Sequence, residues 1–415
     1  MRRPVLPRRL AYATVVYGLT ILVATGTVPL GLWTAYAREF HFSAAVITFL
    51  ASSTLFGVLV AVLLFGNLSD RIGRRAVLIP SVLLGALSMV LFIFADGVPM
   101  LFAARVTSGL AVGLFTGAGT AALTELVPPG GDTRRAATHA ATTAVAGFAM
   151  GPLIGGIFVQ YGPWPLQLVY VLSLVFLLPL LVGVILLPET VRDRQRFRIE
   201  PRRVAAPRAG RATFGLASLI VSACFSGASF FQSLGPTVAI VLLGMTNQLL
   251  AAGVAVCFLG SSALAQIGLR GQPIRTATLS GLVLLPAGFG FVILALVTHT
   301  TALFVAGALV GGLGQGLAYL GGQSLVERVA PAEQRSEIFS LYMIVLYVSG
   351  STAAITFGLV AKWIGLDPAA LLYASFVVGL AVVTLSVTIR SGLLRPLRGR
   401  PRAAEPSTVT PPSRL

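Results

Sequence analysis

Charge is what this sequence is short of. Between Arg211 and Arg270 there is no Asp, Glu, Lys or Arg at all, and charged residues make up 10% of the 415-residue chain. A soluble domain carries about 25%, so a water-soluble globular class is excluded. Acidic residues number only 13, and each lies in a loop, in a tail or at the end of an apolar run. The two cysteines, Cys224 and Cys257, fall in apolar stretches without metal-ligand spacing, which predicts packing roles and no metal site. No Gly-Lys-Ser/Thr phosphate loop is present, so ATP hydrolysis is not the expected driving force. His41 and His299 sit in loops, away from any carboxylate inside an apolar run. No catalytic constellation forms on paper, and the chain does not read as an enzyme or as a cofactor binder.

What the sequence has is hydrophobic length. Residues of apolar type make up 56% of the chain, with mean hydropathy +0.90. A bilayer crossing needs about 20 consecutive apolar residues, and charges and turn residues delimit such runs near 11–36, 43–66, 76–95, 98–124, 137–160, 165–187, 213–234, 246–268, 274–296, 301–325, 337–361 and 367–389. The basic start (Arg2, Arg3, Arg8, Arg9) resembles a secretory leader, but the run after it is too long and lacks a small-residue cleavage site. It reads as a retained first helix.

Twelve crossings place both termini on one side. With that side cytoplasmic, all Lys and Arg except Arg38, Lys362 and Arg105 fall in cytoplasmic segments, a strong positive-inside bias. That distribution explains the net charge of +17 without a nucleic-acid partner. The expected organisation is a cytoplasmic N-terminus (1–10), a six-helix bundle (11–188), a basic linker (189–211), a second six-helix bundle (212–389) and a basic cytoplasmic tail (390–415). Linker and tail are expected either to serve as topology signals or to rest on anionic inner-leaflet lipids.

The halves are related. Residues 101–129 match 303–331 at nine positions without a gap, including Gly109/Gly311, Glu125/Glu327 and Pro129/Pro331; Gly162/Gly365, Pro165/Pro368 and Tyr170/Tyr373 follow at nearly the same offset. Units of six spans repeat with the same orientation, which predicts two pseudo-symmetric bundles facing one another and alternating access to a site between them.

The sharpest local signal is Gly66-Asn67-Leu68-Ser69-Asp70-Arg71-Ile72-Gly73-Arg74-Arg75, between the second and third spans. Glycine permits the reversal, the arginines stay at headgroup level, and Asp70 can accept from helix-end donors or pair with a neighbouring Arg. This run resembles the loop signature of the major facilitator superfamily, G-x-L-x-D-R-x-G-R-R, and the resemblance extends over residues 11–389. It implies an all-α integral membrane fold of twelve helices in two bundles. It also implies a conformational gate in which Asp70 and Arg71 work with Glu125 at the end of the fourth span. The equivalent stretch of the second half, Gln266 to Gly271, keeps Gly268 and Arg270 but has no Asp, so such a latch is one-sided.

Arg105, in Arg105-Val106-Thr107-Ser108-Gly109, resembles the family's R-x-x-x-G motif linked to proton coupling. A buried Arg normally faces a cavity; snorkelling to the outer headgroups is the alternative. The string Gly147 to Gly156, with Gly147, Gly151, Pro152, Gly155 and Gly156, is either a small-residue stripe for a closely packed helix or the G-x-x-x-G-P-x-x-G-G motif that it resembles in drug:proton antiporters. Leu187-Pro188-Glu189-Thr190 resembles the P-E-[ST] close of the sixth span, where Glu189 pairs with loop arginines. The first span lacks the buried acid of many proton-driven exporters, which leaves Asp70, Arg105, Glu125 or His139 for proton coupling, if any occurs. His139 reads equally as a structural residue.

The family's cavity is lined by spans 1, 4, 7 and 10. The resemblance therefore assigns Thr25, Trp33, Phe115, Ser226, Gln232, Gln315 and Tyr319 to it, against ordinary interhelical packing for each. Such a surface suits a neutral or amphipathic small molecule. The expected protein is a monomeric secondary exporter of drugs or natural products in a bacterial inner membrane, with protons as a possible co-substrate. A nutrient permease or uniporter is the alternative, and a receptor or membrane enzyme stands behind both.

Overall fold

Pro29 decides the shape of the first span. The sequence predicts one helix over 11–36, but in the computed structural model α1 (Arg8–Thr27) gives way to a short 3-10 turn, Val28–Gly31, and then to α2 (Trp33–Glu39). Proline has no N–H to continue the helical ladder, and Pro29 sits in the first turn of the new segment. The same event ends the seventh span. There α9 (Arg211–Ser233) stops at Leu234 and α10 (Gly235–Val241) starts with Pro236 in its first turn. The first span of each half is thus interrupted at the same end.

The structure describes residues 5–128, 133–191, 207, 210–269, 271–331 and 334–393. Arg2, Arg3, Pro129, most of the basic linker, Arg270 and the tail beyond 393 lie outside the described residues. The remaining elements are α3 (Ala44–Phe65), α4 (Leu68–Ile72), α5 (Arg74–Ile93), α6 (Val98–Glu125), α7 (Thr133–Tyr161) and α8 (Leu168–Ile185) in the first half. The second half supplies α11 (Gln248–Gly268), α12 (Ile274–Thr298), α13 (Thr301–Val329), α14 (Arg335–Ile364) and α15 (Leu366–Ser391). Twelve helices are long and apolar enough to cross a membrane, and the described residues contain no strand. The chain is a multi-pass helical membrane protein of two six-helix bundles.

Each bundle has its own core. Leu19, Phe92, Phe115 and Tyr170 belong to a cluster drawn wholly from the first half, and Phe230, Phe258, Phe289 and Phe304 to one drawn almost wholly from the second. Four rings lie within 6 Å of Phe231, one stacked, two edge-on and one tilted, an arrangement that adds to simple burial.

The bundles meet chiefly through α7 against α11 and α3 against α14. Three hydrogen bonds tie them at the end away from the termini. The Thr34 hydroxyl donates to Gln248 Oε1 (3.2 Å), the Gln248 N–H to Gln160 Oε1 (2.8 Å) and Asn247 Nδ2 to the Tyr161 hydroxyl (3.3 Å). A Cβ on Gly156 would lie 3.0 Å from Leu249 Cα and 3.1 Å from Ala252 Cβ. That end is closed by backbone-close contact.

Closure there predicts the first mutational outcome. Gly156→Leu overpacks the α7–α11 contact, which costs about 1–3 kcal/mol and should shift the balance toward conformers open at this end about 5- to 150-fold. With Cys224 and Cys257 replaced by Ser, maleimide labelling of Thr34→Cys from that side should rise accordingly. Unchanged labelling would show that Gly156 does not hold the closure.

Candidate functional site

A cavity of about 150 Å³ lies between the bundles, and Arg105, Thr54, Thr116, Phe148, Gln232 and Tyr347 are among its lining residues. Arg105 projects from the second turn of α6 and is 3% exposed, turned into the protein and not snorkelling to the outer headgroups. Its Nη1 donates to the Gly26 carbonyl (2.7 Å) and its Nε to the Leu50 carbonyl (3.3 Å). The Trp33 ring covers it, with Cζ 5.3 Å from the centroid, inside the range of a cation–π contact. An Arg at mid-bilayer depth costs about 2.5–3.5 kcal/mol on insertion scales. Two charge-assisted hydrogen bonds of about 1.5–3 kcal/mol each offset much of that cost but supply no counter-charge.

Of the seven side chains assigned to the cavity from the sequence, Gln232 alone is among those that line it. Trp33 touches it only through Arg105. Thr25 opens instead onto an apolar groove of α1, α7 and α8, beside Tyr17, Phe158 and Phe176. Phe115 is buried against Gly18 and Val15 inside the first bundle. The Ser226 carbonyl accepts from the Tyr373 hydroxyl (3.0 Å), Gln315 Oε1 accepts from the Ser262 hydroxyl, and Tyr319 meets Phe225 edge-on at 5.7 Å. These are contacts within a bundle. The physical reason is periodicity: each polar residue on an apolar helix has several neighbouring helices to face, and only one direction leads to the seam.

Thr54 and Tyr347 were missed because α3 and α14 were not expected at the seam. The run Ser52-Ser53-Thr54 and the lone Tyr347 in Ile344 to Val348 are polar breaks in apolar segments, and those breaks were the available signal.

A second cluster forms at the end of the first bundle that carries its N-terminus. Gly73 takes φ +109°, ψ 151°, a backbone conformation that side chains with a Cβ rarely adopt, and this turn throws Arg74 back under the loop. Arg74 is the hub. Its Nη1 reaches Asp70 (2.5 Å) and Ser69 Oγ (2.8 Å), while Nη2 and Nε reach Glu125 at 2.6 and 3.2 Å. Arg74, one of the arginines of the loop signature, thus joins Asp70 to Glu125. Glu189 Oε1 accepts the Arg74 backbone N–H (2.9 Å) and the Thr190 and Val191 N–H groups. It caps one of the donors that every helix start leaves unsatisfied. Thr190 donates its hydroxyl to Glu125. Gly66 ends α3, and half-buried Arg75 follows in the first turn of α5.

His139 lies apart from both clusters. It is exposed near the start of α7, and its Nδ1 is 2.8 Å from the Tyr12 hydroxyl. Gly147, Gly151 and Gly155 all face the first span. A Cβ at Gly147 would come within 2.5 Å of the Thr20 carbonyl, and one at Gly151 would strike the Thr27 hydroxyl and the Ala24 carbonyl. Pro152 lies inside α7, with its carbonyl against Gly31. Gly147, Gly151 and Gly155 thus pack closely on the first span, and Gly156 turns to the other bundle.

Two helical bundles closed at one end around a cavity that holds a buried arginine define a polytopic membrane protein of two-bundle architecture. Residues 13–354 match the model of the Major Facilitator Superfamily, and the chain belongs to that family. It is 30% identical over 168 residues to the gentisate transporter of Corynebacterium glutamicum, an alignment of 39% of this chain and 35% of that one. It is 36% identical over 137 residues to the multidrug resistance protein MdtG of Proteus mirabilis, covering 33% and 30%. The chain thus aligns with about a third of the length of these curated relatives. Its fold matches the partially occluded inward-open xylose transporter XylE from E. coli with TM-score 0.69 at 14% identity, over 92% of this chain and 99% of that one.

Proposed function

We propose that the chain is a secondary carrier that moves a small organic compound across the plasma membrane by alternating access. The observation that carries this reading is the central cavity, which takes Arg105, Thr54 and Phe148 from one bundle and Gln232 and Tyr347 from the other. Rocking the bundles about that cavity, with the α7–α11 contact as one gate, exposes the same groups to either side. With the basic end cytoplasmic, as the positive-inside bias supports, the closed end is external and the structure corresponds to an inward-facing or occluded state.

Export in the manner of the drug:proton antiporters is the leading direction, supported by the Gly147–Gly156 string and by likeness to MdtG. A nutrient permease or uniporter is the second reading, favoured by the absence of any described carboxylate among the residues that line the cavity with Arg105. Asp70, Arg105 and His139 are the candidate proton-coupling groups. Counterflow of labelled solutes in proteoliposomes, with and without a pH gradient, tests the carrier reading; solute entry that never exceeds protein-free vesicles would refute it.

The gate reading carries its own test. Asp70→Asn keeps a hydrogen-bonding partner for Arg74 but removes the charge, and is expected to abolish transport while membrane insertion stays at the wild-type level. Wild-type rates in a well-expressed variant would count against a gating role for Asp70.

A further inference from the structure

The central cavity carries an unbalanced positive charge. Arg105 is buried, and among the described residues it has no carboxylate partner; its bonds to the Gly26 and Leu50 carbonyls occupy only part of a guanidinium with five N–H donors and cancel none of its charge. The groups beside it are also short of acceptors. The Thr54 hydroxyl is buried with no hydrogen-bond partner, and Gln232 and Tyr347 line the same space from the second bundle. No described Asp or Glu is among the lining residues. A buried ion left without a counter-charge is strongly unfavourable, so the arrangement is completed by an anion that enters from outside. Size narrows the choice: about 150 Å³ lies below the roughly 300–1,000 Å³ of drug-sized pockets. The walls at Val112 and Phe148 are apolar, which favours an organic anion over an inorganic one.

Resting on the carrier reading above, we infer that the solute is a small organic monocarboxylate of about one ring. Its carboxylate pairs with the free edge of the Arg105 guanidinium, its ring lies against Val112 and Phe148, and Gln232 and Tyr347 close over it from the other bundle. Planar two-point pairing with carboxylates is what guanidinium geometry favours. A lipophilic cation, the usual burden of multidrug export, would meet repulsion at this site.

Trp33 supplies the readout. It is fully buried over Arg105, whereas Trp164 and Trp363 are 74% and 85% exposed. In the full-length protein carrying Trp164→Phe and Trp363→Phe, the remaining emission reports on the guanidinium. Benzoate, cyclohexanecarboxylate and hexanoate are titrated against the near-isosteric benzamide and the cationic benzylamine. At least one carboxylate is expected to change Trp33 emission saturably, with benzamide at least about tenfold weaker than benzoate, as loss of charge-assisted bonds implies. Arg105→Gln should lose that preference and Arg105→Lys should keep it. The proposal is overturned if none of the three carboxylates binds, if benzamide or benzylamine binds the wild-type site as tightly as benzoate, or if Arg105→Gln binds benzoate undiminished. A carboxylate that binds but shows no counterflow would refute the carrier reading and leave the anion site standing. A neutral solute that is carried while no carboxylate binds would do the reverse.

Discussion

Replacing Arg74 by leucine is expected to destabilise the first bundle by about 2–4 kcal/mol, somewhat less than the ~3–5 kcal/mol for removing one member of a fully buried pair. The side chain itself is 8% exposed and serves Ser69, Asp70 and Glu125 with three separate nitrogens. Its removal leaves two carboxylates facing each other across an apolar gap. Asp70 is 58% and Glu125 34% exposed, and the water that reaches them softens the penalty. Lysine should not rescue the loss, because one ammonium cannot span partners on both edges of a planar fork. Glu125→Gln should cost less, since Arg74 keeps Asp70 and Ser69. Thermal loss of monodispersity in detergent reads all four proteins, and an Arg74→Leu midpoint equal to wild type would dismiss the hub.

The second large effect belongs to Gly151. Leucine there drives a branched side chain into the Ala24 carbonyl and the Thr27 hydroxyl, at a point where α1 and α7 touch through backbone. Backbone cannot swing aside as a flexible side chain can. The expected penalty is therefore at or above the top of the ~1–3 kcal/mol range for overpacking, with little folded protein recovered. Gly117, in α6, has no atom within 4 Å of where a Cβ would stand, so Gly117→Ala is the matched control. It should be neutral or stabilising by about 0.4–1 kcal/mol. If both variants behave alike, the glycine seam is not what sets the α1–α7 distance.

These two sites show where the sequence was legible. The twelve spans follow from apolar length alone, because a bilayer imposes that length on any helix crossing it. Only the interruptions at Pro29 and Pro236 escaped, since both sit near span ends where a proline also fits a loop. The loop signature likewise located its cluster before the structure did. It did not single out Arg74 among its arginines, because Gly73, by taking a positive φ, reverses the chain between Arg71 and Arg74, and residue order says nothing of which side chain is folded under. The cavity was the least legible part. Thr25, Phe115 and Gln315 are as polar or aromatic as Thr54 and Tyr347, and hydropathy cannot rank directions around a helix that is apolar on every face.

Glu189 and Thr190 have a mechanical meaning beyond capping. They are the last residues of the first bundle before the chain sets out for the second, and both are fastened to the Arg74–Glu125 knot. Any pull on the chain where it leaves the first bundle is therefore felt first at the Asp70 loop.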